Sequence, residues 1–224
     1  MPTTPLTRPL VTSLIEDAVT APSMHNAQPW RFVHRTGGDT IELYGDPSRE
    51  MPREDPDHRG LHLGCGAALF NLRVAAAHHG RHAVPRLLPA PDDPWRLAEV
   101  KLTPAGAEGD ELAVLHPAVR ERHTSRFPFT EQEVPSEILA ELRAAAALEG
   151  CRLVVPGAWH TDTVLNLVHT SELFEAADEA VRAEVATWMR GGAADEGVGT
   201  EGIPDRHPRE TLTAGTSAPP RAAP

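Results

Sequence analysis

Ser23, Asn26 and Gln28 stand close together in the stretch Ala21-Pro22-Ser23-Met24-His25-Asn26-Ala27-Gln28-Pro29-Trp30-Arg31-Phe32. One hydroxyl and two carboxamides supply both donors and acceptors, the mixed set that reads the edge of a flat heterocycle. Pro22 and Pro29 bracket them and restrict the backbone on either side. A second group is Arg122-His123-Thr124-Ser125-Arg126. Its guanidinium forks match phosphate oxygens in a bidentate way, and its hydroxyls add further donors. Each group also has a plainer reading. The first would be a connecting loop whose polar residues satisfy backbone groups, the second a basic turn on a solvated surface.

The first group needs a helix before it and a strand after it. Leu10 to Val19 carries Leu10, Leu14, Ile15 and Ala18 at the spacing of one buried helix face. Pro22 is expected to end that helix, because a proline disfavours helical geometry in the residue before it. Trp30 to Arg35 and Thr40 to Tyr44 read as strands joined by a Gly37-Gly38-Asp39 turn, with Trp30 and Phe32 sharing the core face. A long helix is expected from about His58 to His79. Its stripe is Leu61, Gly64, Cys65, Ala68, Leu69, Leu72, Ala75 and Ala76, and Gly80 ends it. Val84 to Leu88 and Leu97 to Leu102 are strand candidates, and Pro104 to Asp110 is a soft linker.

The second group opens a second unit. Glu111 to Glu121 reads as helical, as does Pro135 to Leu148, with Ser136 near its start. Cys151 to Val155 is expected to be a strand. His160 to Arg190 is expected to be mostly helical, with Leu165, Val168, Leu173, Val181, Val185 and Trp188 on buried faces. The two units look like weak repeats: Leu10–Val19 then Trp30–Arg35 corresponds to Ile138–Leu148 then Cys151–Val155. The polar loop occurs only in the first unit and the Arg-rich segment only in the second.

Composition narrows the function. The chain has 224 residues and a formal charge of −11, which argues against general nucleic-acid binding and against an anionic membrane surface. No apolar run is long enough to span a bilayer, and Met1 to Pro5 lacks the order of a signal peptide, so a cytoplasmic location is expected. Cys65 and Cys151 make no disulfide framework, and Cys65, between two glycines on an apolar face, reads as a buried small residue. Twelve histidines include His58 and His62 at a chelating spacing and a cluster of His78, His79 and His82. No Cys or acidic partner completes a set, so no metal site is assigned.

The first stretch resembles the flavin loop of the nitroreductase family, roughly A-P-S-x-x-N-x-Q-P-W-x-F, and every position of that pattern is present. Arg122 to Arg126 resembles the family's R-[RH]-S-x-R phosphate segment, with Thr124 keeping the hydroxyl. Leu61 to Arg73 resembles its central helix. The resemblance covers roughly residues 8–204. It implies an α+β nitroreductase-like fold, helices on a mixed or antiparallel sheet, in two pseudo-repeated halves. Nitroreductases are typically intertwined dimers with flavin at the interface. This chain looks like such a dimer fused into one polypeptide, as in the Acg-like branch. Residues 1–104 would be the half with the flavin-ring loop, and 111–204 the incomplete half with the phosphate segment.

The resemblance also implies roles. Ser23 and Asn26 would bond the polar edge of an FMN ring, Pro22 and Met24 would pack near its plane, and Gln28 would brace the loop. Arg122, Thr124 and Arg126 would neutralise the phosphate. The flavin would carry hydride from NAD(P)H to a nitro compound, quinone or similar small-molecule acceptor. No side chain needs to be a nucleophile, so no catalytic residue is assigned.

The chain departs from the pattern near its end. Gly191 to Pro204 is Gly-rich and acidic, and 205–224 is expected to be a disordered tail, as after truncation or a changed reading frame. A missing closing segment would expose apolar helix faces and lead to aggregation, self-association or folding around the first unit alone. The competing functions are an inactive fragment and a non-catalytic FMN-binding or storage protein.

Overall fold

The computed structural model describes residues 6–106, 111–125, 130, 132–190 and 196–199. Helix α1, Arg8–Ala18, starts at Thr7, whose hydroxyl accepts from the Leu10 amide, with proline in its first turn. It ends four residues before Pro22 rather than at it. The chain unwinds through Thr20 N–H to Asp17 O and Ala21 N–H to Ala18 O, the tighter bonds of a closing turn. Leu14 and Ala18 are fully buried, and Leu10 and Ile15 pack on the core.

Strands β1 (Trp30–His34), β2 (Thr40–Gly45), β3 (Arg81–Leu87) and β4 (Arg96–Pro104) form an antiparallel sheet in the order β1-β2-β4-β3. The β1–β2 hairpin pairs Trp30 with Gly45 and His34 with Ile41. Alternation puts Ile41 and Leu43 inside, with Trp30 buried and Phe32 packed beside it. Arg31, on the other face, stacks over the Tyr44 ring at 4.5 Å.

Helix α2, Arg59–His78, lies across the sheet, and all eight residues of its expected stripe are buried. Leu14, Ile41, Leu43, Leu72 and Leu102 are the largest fully buried apolar side chains of this core, each stabilising the fold by ~2 kcal/mol. The small residues of α2 let α1 and the polar loop approach its backbone. Gly80, at φ +66°, turns the chain out of the helix toward β3. The fold is therefore α+β, and its sheet is antiparallel rather than mixed.

Beyond β4 the chain continues through a short 3₁₀ stretch, Glu111–Leu115, into α3, His116–Glu121. Helices α4 (Ser136–Leu148), α5 (Ala158–Ala177) and α6 (Glu179–Trp188) follow. Two short parallel strands, β5 (Met189–Arg190) and β6 (Val198–Gly199), complete the described elements.

Two expectations fail in this region. Cys151 to Val155 is not a strand, because among the described residues no partner strand lies beside it, and a lone strand leaves its backbone groups unpaired. Leu165, Val168 and Leu173 are exposed rather than buried, since no described element packs over that face of α5. Arg126 and the expected tail at 205–224 lie outside the described residues.

Candidate functional site

The polar loop is built from unusual backbone. Ser23 is extended, and a single 3₁₀ turn, Met24–Asn26, follows it. His25, Asn26 and Gln28 have φ of +47°, +55° and +52°. Left-handed geometry costs a residue with a side chain ~1 kcal/mol, so three such positions persist only where their surroundings hold them. The holding contacts are explicit. The Ser23 hydroxyl accepts from the Gln28 amide at 2.9 Å, and the Asn26 amide donates to Ser23 O at 3.0 Å. Arg49 Nη1 donates to Ala27 O at 2.6 Å, and His25 Nε2 lies 2.7 Å from Glu54 Oε2.

Helix α2 supplies the floor. A Cβ on Gly64 would stand 3.2 Å from Ser23 Cβ and 3.6 Å from Pro29 Cγ, so the absent side chain is what seats the loop there. Cys65 Sγ, one residue on, donates to Pro29 O at 3.2 Å, and burial pushes its thiol pKa up to about 12. It is a buried, inert residue, as expected.

The start of α2 is capped from outside. His58 precedes the helix in left-handed geometry with no side-chain cap, and Asp55 takes the role. Its two oxygens accept from the Gly60 and Leu61 amides at 2.9 Å each. Met24, Pro29, Met51, Asp55 and Leu61 line a small gap beside the loop, with room for about one water.

The Arg-rich segment comes to the entry of this loop. Arg122 Nη2 donates to Thr20 O at 3.0 Å, one residue before the loop begins, and Arg122 Nη1 donates to the Thr124 hydroxyl at 3.4 Å. The Thr20 hydroxyl lies 3.2 Å from Val119 O, locking the same junction. Both Arg122 and Thr124 are exposed, as is Pro22 on the loop side. Met24, Asn26 and Gln28 lie farther along the loop and are partly buried. There Asn26 O accepts from the Gly197 amide at 3.2 Å, and Arg49 reaches Glu196 at 2.7 Å.

Asp17 underlies the junction. It is 1% exposed, and its carboxylate meets Arg120 Nη2 at 2.7 Å and His116 Nε2 at 2.9 Å. Burial acts to raise its pKa. The hydrogen bonds and charges of His116 and Arg120 outweigh that, and the carboxyl lies below its ordinary value. Among the histidines considered for metal, His58 Nε2 instead meets Glu50, and the His78 ring stacks on His116 at 3.7 Å.

Comparison with known proteins places the chain in a family. No family model matches the chain. A Mycobacterium tuberculosis H37Rv protein named "Putative NAD(P)H nitroreductase acg" is 31% identical over 224 residues, 98% of this chain and 66% of its own length. This chain belongs to the nitroreductase family, in its Acg-like branch.

A second M. tuberculosis H37Rv protein, "Putative NAD(P)H nitroreductase Rv3131", is 33% identical over 178 residues, 80% of this chain and 50% of its own length. The nitroreductase-family chain described here thus spans between half and two thirds of these relatives. Among solved structures, a "putative nitroreductase in complex with fmn" from Desulfovibrio desulfuricans is similar at 22% identity and a TM-score of 0.37. That match covers 59% of this chain and 88% of the other.

Several residues that hold this candidate site were not singled out from the sequence. Asp17 follows Leu10 and Leu14 on the same helix face, so a carboxylate in an apolar stripe was the available signal. Asp55, three residues before the expected start of α2, was a recognisable capping candidate. Arg49 and Glu54 carry no local signal, because their contacts depend on how two loops fold over each other.

Proposed function

We propose that this chain binds FMN across the polar loop and the Arg-rich segment and serves as an NAD(P)H-dependent oxidoreductase of the nitroreductase type. The observation that carries the reading is the Arg122–Thr20 contact, which joins the two motifs of the composite site. The donor set suits the cofactor. Arg122 and Thr124 offer a guanidinium and a hydroxyl to a phosphate at an exposed position. Ser23, held by Gln28, and Asn26, in left-handed geometry, present polar groups from a loop whose backbone is already fixed, as a preorganised ligand loop requires. Pro22 and Met24 would pack near the ring, and Arg126 would add a second fork.

Bound FMN would supply the hydride chemistry between NAD(P)H and a small acceptor of the nitro or quinone class. The residues named here bind and orient it; none acts as a nucleophile. Residues 1–104 carry the ring loop and 111–204 the phosphate segment, in the manner of a fused pseudo-dimer. The exposed apolar face of α5 supports self-association through the second unit.

The test is the visible spectrum of the purified chain after FMN addition and desalting. A retained, protein-shifted flavin band followed by NAD(P)H oxidation with a nitroaromatic or quinone supports the reading. A colourless protein overturns it. A retained band without turnover selects the non-catalytic FMN-binding reading instead.

A further inference from the structure

We infer that Asp17 is a positioning residue for the FMN phosphate: through Arg120 and His116 it holds Arg122 and Thr124 at the entry of the flavin loop. The inference rests on the flavin reading above and deepens it.

Four observations carry it. First, Asp17 is buried on the face of α1 that otherwise bears Leu14 and Ala18, where a carboxylate is costly unless fully paired. Second, both of its partners come from α3. Arg120 Nε and Nη2 approach Oδ1 at 2.8 and 2.7 Å, and His116 Nε2 approaches Oδ2 at 2.9 Å. Third, α3 has only six residues and cannot hold its own orientation. Its direction is therefore set by what grips it, and Arg122 is the residue that ends it. Fourth, the main chain repeats the connection. Asp17 O accepts from the Thr20 hydroxyl at 2.7 Å, that hydroxyl lies 3.2 Å from Val119 O, and Thr20 O accepts from Arg122. His78 of α2, stacked on His116, braces the pair from the other side. Releasing Asp17 frees α3 to rotate, and Arg122 and Thr124 leave the loop entry with it.

The test compares FMN with riboflavin, which has the ring but no phosphate. Binding to the full chain is followed by flavin fluorescence for wild type, Asp17→Asn and Arg120→Gln. The Arg120 side chain is 58% exposed, so its variant carries the test where Asp17→Asn does not fold. The expected result is an FMN affinity about tenfold weaker in each variant with riboflavin unchanged, so that the preference for FMN collapses. The double variant should lose no more than either single one. FMN and riboflavin weakening in parallel, or no change in either, would show a merely structural ion pair and overturn the inference. Wild-type protein that binds neither flavin overturns the flavin reading itself, and this inference with it.

Discussion

Arg122 donates to the carbonyl of Thr20 at 3.0 Å, across 102 residues of chain. This contact brings the Arg-rich segment to the entry of the polar loop. It also fixes an exposed guanidinium, which under the proposed function would meet the FMN phosphate.

Arg122→Gln should therefore weaken FMN binding about tenfold or more, the scale of a lost charge-assisted bond, and leave riboflavin binding unchanged. Titration of both flavins by fluorescence quenching checks it. Rising salt should reduce the wild-type preference for FMN, because the site is exposed.

Gly64 and Gly66 lie on the same helix and should respond oppositely to alanine. Gly66 faces open space, so Gly66→Ala should stabilise the fold by up to ~1 kcal/mol. Gly64→Ala places a methyl 3.2 Å from Ser23 Cβ and must displace the polar loop by a few tenths of an ångström. It should reduce flavin affinity with little gain in stability. Thermal melting and flavin titration of the pair separate the two effects.

Asp55→Ala removes the outside cap of α2 and leaves the Gly60 and Leu61 amides without their acceptor. The expected cost is ~1–2 kcal/mol, read as a fall of several degrees in Tm. Asp55→Asn should recover part of it, since one carboxamide oxygen still accepts.

The two thiols should differ sharply in reactivity. Cys65 is buried with a pKa near 12, whereas Cys151 is exposed. At pH 8, a colorimetric thiol reagent should label one thiol rapidly in the native protein and both after denaturation. Rapid modification of Cys65 in the folded chain would contradict the packing at Pro29.

Stability should fall in acid in two stages. His79 is held below its ordinary pKa of 6.5 by burial and by the neighbouring His78, so the unfolded chain takes up its proton first. Stability is thus lost as pH falls through about 6.5. Asp17 is also depressed, so its contribution is present above its unfolded value of about 3.8 and is lost as pH falls further toward its folded value. Urea melts across this range check the order. His79→Gln should flatten the upper stage, and Asp17→Asn should remove the lower one while deepening the upper, because the Asp17 charge acts to raise the His79 pKa.

Much of the first unit was legible along the chain. The stripe of α2, the β1–β2 hairpin and the burial of Trp30 and Cys65 follow from periodicity and turn residues, which act between near neighbours. The motif residues Ser23, Asn26, Gln28, Arg122 and Thr124 were legible for the same reason: their types and spacing are local facts. The second unit was less so. Local pattern predicts a strand at Cys151–Val155, but a strand exists only with a partner, and the described residues provide none there. Leu165 and Leu173 read as core, yet burial is decided by what packs on top.

The sequence by itself determined which residues could bind a flavin and that they lie in two separate segments. Only the tertiary structure decided that those segments meet. Asp17 reaches Arg120, and Arg122 reaches Thr20, through contacts between residues about a hundred positions apart. No local propensity encodes such a contact. It depends on α3 docking against α1, and a buried carboxylate that must find its partners makes that docking specific.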